Sequence, residues 1–209
     1  LSEYSTIRSG AYKKLVSSYY NKTASTDKSN TTSTKLNSNK NAIAQKRELT
    51  EVKDVADSLY EAAGKLTDTS ASKSLFKKAD KVTNDITSAV KDYVKNYNSL
   101  IEEAADTTNS KVTGKVSFMT GQANAYKSSL EKVGITINSD KTLSIDEDTF
   151  KKSDISDVKK LFNGSGSMAY QTFVRASDIS SAAENASASV TSYGADGMYN
   201  NYYNSAYNW

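Results

Sequence analysis

Residues 49–66 read LTEVKDVADSLYEAAGKL, and this stretch decides the fold. Its apolar residues recur at alternating steps of three and four, the spacing that places side chains on one face of an α-helix. A strict repeat of this kind is typical of helices that pair along a narrow apolar stripe, as in a coiled coil. The stripe consists of Leu49, Val52, Ala56, Leu59, Ala63 and Leu66.

A second helical pattern follows and predicts a partner for this helix. The partner is expected to start after Asp68 or Ser70, either of which can cap a helix, and to pair with the first as an antiparallel hairpin. A third helix is indicated between Lys111 and Val133, so residues 42–133 form a long helical hairpin plus a third helix. The second stripe consists of Phe76, Ala79, Val82, Ile86, Ala89, Tyr93, Tyr97, Leu100 and Ala104.

The two ends of the chain differ from this helical centre. Residues 1–22 have apolar residues at helical spacing and predict an N-terminal helix. Residues 23–41 are almost wholly Ser, Thr, Asn, Lys and Asp, which indicates a polar linker. Residues 191–209 form a Tyr- and Asn-rich tail, for which we expect disorder, or alternatively an assembly or carbohydrate-facing surface.

Downstream of the third helix the apolar period changes to two over residues 134–146, which predicts a small β-hairpin. Asp146 and Asp154 then each precede a short helical pattern, as capping residues do, so residues 134–163 are predicted to be a hairpin and two short helices. Residues 167–190 predict a C-terminal helix. The apolar side assigned to it comprises Tyr170, Phe173, Val174, Ile179, Ala183, Ala186 and Val190.

These patterns predict a mainly α fold, an elongated antiparallel helical bundle or coiled coil with one small β-hairpin near residues 134–146. Hydrophobic residues make up 37% of the chain, which suits narrow helical stripes better than a thick core. The residues expected to form the structural and assembly contacts are Leu49, Val52, Leu59, Leu66, Phe76, Val82, Ile86, Tyr93, Tyr97, Leu100, Leu130, Ile135, Leu143, Ile145, Leu161 and Phe162.

The chain contains no Cys, His or Pro, and each absence removes a class of chemistry. Without Cys and His there is no thiolate nucleophile, no catalytic triad built on histidine and no common zinc or haem site. Carboxylates at Asp140, Asp146, Glu147 and Asp148 could suit a calcium ion or acid/base catalysis. A helix cap at Asp146 with acidic residues in the first turn explains them better. No catalytic residue, cofactor site or metal site is therefore predicted.

The net charge of +3 comes from 27 basic and 24 acidic residues spread along the chain. Nucleic-acid binding normally requires clustered basic residues, so no nucleic-acid partner is expected. No apolar run approaches the length of a membrane span, so no membrane-spanning segment is expected.

Four motifs occur in order along residues 93–162. Residues 93–101 read YVKNYNSLI, residues 130–135 read LEKVGI, residues 142–150 read TLSIDEDTF, and residues 158–162 read VKKLF. They resemble, respectively, the F-V-x-x-Y-N-x-L helix and the L-x-x-[IL]-G-I, G-K-L-x-[IL]-D-x-x-x-[LF] and V-x-x-L-F motifs in the C-terminal region of the bacterial flagellar hook-associated filament-capping protein. The chain is similar to a shortened cap-like or flagellin-like relative of that family.

The resemblance implies a non-enzymatic structural or assembly protein of the bacterial flagellum, located outside the cell or at its surface. Its implied partners are flagellar axial proteins or further copies of itself, in a homo-oligomer. The scarcity of Cys, Pro and His also resembles axial proteins, which that family exports unfolded through a narrow channel. The alternative is a secreted helical surface protein or adhesin that binds a protein or glycan partner through its tail or an exposed helix face.

Overall fold

The computed structural model describes residues 32–70 and 72–190, with side chains from residue 41 onwards. The chain divides into two compact units between Asn39 and Lys40. In the first unit only residues 32–39 are described, and they are helical, so all packing below belongs to the second. The predictions for residues 1–31 and for the tail 191–209 lie outside the described residues.

The described part of the second unit is mainly α with one small antiparallel β-hairpin, which confirms the prediction of a mainly α fold with a small β-hairpin. A 3-10 turn, Asn124–Tyr126, separates the third and fourth helices. The elements in chain order are α1 Thr32–Thr67, α2 Asn84–Asp106, α3 Ser110–Ala123, α4 Lys127–Lys132, β1 Ile135–Ile137, β2 Leu143–Ile145, α5 Glu147–Lys152, α6 Ile155–Phe162 and α7 Met168–Val190.

Helix α1 begins at Thr32, so the prediction of a polar linker was wrong for residues 32–41. A helix is costly to nucleate but cheap to extend, because each added residue fixes one conformation and gains one hydrogen bond. The stripe from Leu49 to Leu66 supplies the nucleus. Between Thr32 and Ala63 neither Gly nor Pro interrupts the chain, so the helix extends into a segment that has no apolar stripe of its own.

Helix α2 begins at Asn84 rather than near Ser70, so the predicted start of the second helix was wrong. In the intervening segment the Asp68 carboxylate accepts the Ser70 N–H at 2.8 Å, a local bond that competes with helix formation. The cap is Thr83, whose hydroxyl accepts the Ile86 N–H at 3.2 Å. Phe76 and Val82 are still buried, but they lie in the irregular segment before α2 instead of in a helix.

The predicted third helix, Lys111–Val133, is broken in the structure at Asn124–Tyr126. The break turns the Tyr126 side chain towards the chain that leads into α7. The Tyr126 hydroxyl donates to the Gly166 carbonyl at 3.3 Å and accepts from the Gln171 amide at 2.6 Å. These hydrogen bonds favour the broken helix over the continuous helix that the apolar repeat alone predicts.

Helix α7 is the element that the other long helices contact. It meets α1 through Phe173, whose ring stacks on Tyr60 with centroids 4.1 Å apart, and through Ser180, which donates to Asp57 at 2.6 Å. It meets α3 through Arg175, which donates to Gln122 at 3.1 Å. Residue numbers rise along α7 as they fall along α1 and α3, so α7 is antiparallel to both.

The hairpin pairs Ile135 with Ile145 and Ile137 with Leu143, and so confirms the predicted β-hairpin. The side-chain amide of Asn98, on α2, donates to the Leu143 carbonyl at 2.8 Å and accepts the Leu143 N–H at 2.7 Å. One side chain thus holds the outer edge of β2 as a neighbouring strand would. The hairpin is thereby fixed to the bundle.

Both capping predictions are confirmed. The Asp146 carboxylate accepts the N–H groups of Asp148 and Thr149 at the start of α5, and the Asp154 carboxylate accepts the Ser156 N–H at the start of α6. The hydrogen bonds from Thr149 hold the pKa of Asp146 below its ordinary value, and the bonds from Ser156 do the same for Asp154.

Candidate functional site: an exposed aromatic band

The residues predicted to form structural and assembly contacts lie inside the molecule. Fifteen of the sixteen are buried, and Ile145 is half-buried and packs against the same core. A side chain covered within its own chain cannot contact a neighbouring molecule without unfolding. These residues therefore build the core, and any association surface has to be formed by other residues.

The centre of this core is aromatic and joins the bundle to the segment that carries the hairpin. Tyr93 lies edge-on to Phe162, with ring centroids 5.7 Å apart, and Phe162 lies edge-on to Phe150 at 6.4 Å. Burial raises the pKa of Tyr93 and of Tyr97 well above that of an ordinary tyrosine. Both hydroxyls are therefore neutral at physiological pH and act as packing and hydrogen-bonding groups.

The carboxylates near the hairpin are already bound to groups of the chain itself. Asp146 caps α5, Glu147 pairs with Lys91 and Lys151, and Asp140 accepts the backbone N–H and hydroxyl of Thr142. Among the described residues no group of three or more Asp, Glu, His or Cys side chains is arranged to hold a metal ion. Their geometry supports turns and caps, the interpretation that the sequence favoured.

An open groove of about 330 Å³ lies between the end of α1 and the start of α2. It places Ala62 and Lys65 of α1 opposite Asp85 and Asp92 of α2. This facing agrees with the predicted antiparallel hairpin of these two helices, although their coiled-coil pairing stays a prediction. Ligand pockets normally enclose most of the ligand surface, whereas this groove is open to solvent.

The most distinctive surface of the described chain is a band of exposed apolar side chains centred on α7, which we call the aromatic band. It comprises Tyr60, Phe118, Tyr170, Phe173 and Val174. Of the five large hydrophobic residues that are exposed among the described side chains, four belong to it, and the fifth, Ile43, lies elsewhere on α1. Scattered exposed apolar residues are ordinary, but contiguous ones mark interaction surfaces.

The band is held in place by contacts between helices. Tyr60 stacks on Phe173, and the Tyr170 ring lies near the same Phe173 ring, with 6.2 Å between centroids. On the opposite edge, the Arg175 guanidinium lies 4.7 Å from the centre of the Phe118 ring and pairs with Asp178 at 3.2 Å. Phe118 is 55% exposed despite this contact. The rings are therefore fixed before any partner arrives, which lowers the entropic cost of binding.

The band was not predicted from the sequence, because Tyr170, Phe173 and Val174 were assigned to the apolar side of the last helix. That assignment was wrong for Tyr170 and Val174, which are exposed, and Phe173 is half-buried. The buried face of α7 is instead lined mostly by small residues, with two large ones, Met168 and Ile179. It consists of Met168, Ala169, Thr172, Ala176, Ile179, Ser180, Ala183 and Ser187.

Comparison of the chain with protein-family models, with curated proteins and with solved structures gave no match. Within the described part of the chain, no helix is at once long enough and apolar enough to cross a membrane.

Proposed function

We propose that this chain is a non-enzymatic structural protein that acts by associating with protein surfaces, and that it belongs to the bacterial flagellum outside the cell. The observation that carries the proposal is the aromatic band. Tyr, Phe and Arg are the residues that protein interfaces concentrate at their centres, and here they form a rigid surface across three helices. The resemblance of residues 93–162 to the filament-capping family supplies the flagellar setting.

The fold supports an assembly role in a second way. Every large residue of the two long stripes packs in the core of the chain. The bundle therefore presents a fixed outer surface and does not exchange helices with partners. The hairpin is anchored by Asn98, and α5 by Asp146, so the segment 134–163 adds rigidity to one end of the bundle. Rigid, pre-formed surfaces are what repeated assembly uses.

The localisation test uses immunogold electron microscopy of the full chain on motile cells of its source, beside a mutant that lacks flagellar export. We expect label at filament tips or junctions that disappears in the export mutant. Label that spreads over the cell wall and is unchanged in that mutant would contradict the flagellar role. It would favour the alternative, a secreted helical surface protein that binds a protein or glycan partner.

A matched pair of variants connects that localisation to the aromatic band. Phe118→Ser removes the most exposed ring of the band, and Ile43→Ser removes an exposed apolar side chain of comparable size outside it. We expect Phe118→Ser to lose the filament label and Ile43→Ser to keep it, with equal amounts of both exported. Equal labelling by both variants would mean that the aromatic band is not required for localisation to the filament.

A further inference from the structure

We propose that the aromatic band binds the same band of a second copy of this chain, in a two-fold dimer whose α7 helices run parallel. The inference deepens the proposed function, since it names the partner of the assembly surface. It rests on the charges that flank the band and on the symmetry that those charges permit.

The α1 edge of the band is acidic. Asp57 faces α7, where it accepts from Ser180, and Asp54 and Glu61 lie three residues before it and four after it, on the same side of the helix. Lys53 pairs with Asp57 at 2.7 Å and also lies close to Glu184 of α7, so this edge carries the exposed carboxylates of Asp54, Glu61 and Glu184. Burial alone would raise the pKa of Asp57, but the hydrogen bonds from Lys53 and Ser180 outweigh it and hold the pKa below its ordinary value. We call this edge the acidic rim.

The α3 edge of the band is basic. Phe118 faces α7, where Arg175 lies over its ring, and Lys115 and Lys111 precede it by three and seven residues on the same side of α3. Both lysines are exposed. Arg175 is neutralised by Asp178, so the two lysines are the net charges of this edge, which we call the basic rim.

Both rims lie beside the same part of α7. Asp57 contacts Ser180, and Phe118 contacts Arg175, so the charges of the two rims flank α7 at similar heights on opposite sides. Between them, the exposed midline of α7 passes from Tyr170 and Val174 to Ser177 and Ser181. These serines are small enough for another helix to approach closely.

An interface formed by one patch on two copies must be complementary to itself under a two-fold rotation. A two-fold axis parallel to α7 exchanges the left and right edges of the face but preserves height along the helix. Each acidic rim then faces a basic rim of the other copy, at two places in the dimer. An axis perpendicular to α7 would instead place like charge against like charge, which costs free energy. The charges therefore select the parallel arrangement.

The test is sedimentation equilibrium of the full chain at low ionic strength, with variants that reverse each rim. One variant carries Asp54→Lys and Glu61→Lys, and the other carries Lys111→Glu and Lys115→Glu. The natural chain is expected to reach twice the 22.7 kDa chain mass. Each variant alone is expected to dimerise about tenfold more weakly or worse, because both of its rims carry the same sign.

The decisive measurement is an equimolar mixture of the two variants. Their rims are opposite in sign, so the mixture should form a dimer as strong as that of the natural chain, which a variant that failed to fold could not do. Matched controls on α2, Lys95→Glu and Glu102→Lys, reverse exposed charges away from the band and should dimerise normally. A natural chain that stays monomeric, or a mixture that does not recover, overturns the proposal and assigns the band to a different protein. Neither result bears on export-dependent localisation, so the two proposals fail separately.

The direction of the helices has its own readout, because the chain contains no Cys. In the parallel dimer, the thiol introduced by Ser177→Cys or by Ser181→Cys lies beside the same thiol of the second copy. A short bismaleimide should therefore crosslink both variants efficiently. In an antiparallel dimer at most one of the two could meet itself. Efficient crosslinking of one position alone would therefore overturn the parallel arrangement.

Discussion

The hydroxyl oxygens of Tyr93 and Thr172 lie 2.8 Å apart inside the core, and this hydrogen bond joins α2 to α7. Four residues along α2, the hydroxyl of Tyr97 is also buried, yet no described group accepts or donates a hydrogen bond to it. The two tyrosines pack side by side, with ring centroids 6.1 Å apart. The Tyr93 hydroxyl is hydrogen-bonded and the Tyr97 hydroxyl is not. Removing the two hydroxyls should therefore affect the free energy of unfolding differently.

Tyr93→Phe should lower the free energy of unfolding by about 1 to 3 kcal/mol, because it leaves the buried Thr172 hydroxyl without a partner. Tyr97→Phe removes a hydroxyl that is buried and unpaired, so it should be neutral or stabilising. Urea unfolding followed by circular dichroism measures both. Equal destabilisation by the two variants would contradict the pairing. Adding Thr172→Val to Tyr93→Phe should recover part of the loss, since no polar group is then left unpaired.

Asn98→Ala should loosen the hairpin while the bundle stays folded. The substitution removes both hydrogen bonds to the Leu143 backbone, at a cost of about 1 to 3 kcal/mol if the freed backbone groups stay partly buried. Hydrogen exchange read by NMR should show the Leu143 amide exchanging faster. Asn96→Ala is the matched control, because the Asn96 side-chain amide donates to the Asp92 carbonyl of its own helix. Similar exchange rates in both variants would argue against the anchoring role.

Gly134→Ala should destabilise the chain by about 1 to 3 kcal/mol. Gly134 has a φ of +76°, and a Cβ atom there would lie 2.9 Å from Thr149, so both the backbone and the packing oppose a side chain. Gly121 lies on the exposed face of α3, with nothing within 4 Å of an added Cβ. Gly121→Ala should therefore stabilise by about 0.5 to 1 kcal/mol through helix propensity. Thermal melts that rank the two variants in the reverse order would refute this account.

The Asp146 cap should make the stability of the fold depend on pH. Hydrogen bonds from Thr149 lower the pKa of Asp146 in the folded chain, so the folded state favours the ionised carboxylate. The resulting stabilisation is present above the ordinary pKa of 3.8 and is lost as the pH falls through the lower folded value. Asp146→Asn keeps a capping oxygen but does not titrate. The difference in melting temperature between the natural chain and this variant should shrink between neutral pH and pH values below 3.8, and a constant difference would count against the cap.

The elements predicted well from sequence are those in which local pattern and packing agree. The stripe from Leu49 to Leu66 and the alternation around Ile135 and Leu143 need no distant information, because the period itself specifies which face is buried. The caps at Asp146 and Asp154 are likewise local, since the carboxylate and the amide groups that it accepts are two or three residues apart.

Some of the wrong predictions concern the local extent of a helix, and the others depend on contacts between distant residues. Residues 32–41 have no apolar stripe of their own, and they are helical because the helix of residues 49–66 extends into them. Tyr170 and Val174 look like core residues of an amphipathic helix. The closely packed centre of the bundle instead accepts the smaller Thr172 and Ala176, which leaves the larger residues outside. Apolar periodicity alone does not show how much space a core has, so the aromatic band could not be predicted in this way.

Helix α7 also determines when this bundle can be completed. Its bonds reach back 53 positions to Gln122, 79 to Tyr93 and 123 to Asp57, so this helix supplies the most distant hydrogen bond among the described residues. Long-range contacts of this kind slow folding, because the intervening chain must be ordered first. A nascent chain that ends before Met168 has α1, α2 and α3 but lacks the helix that joins them. Folding to the native state must wait until the C-terminal helix has been synthesised.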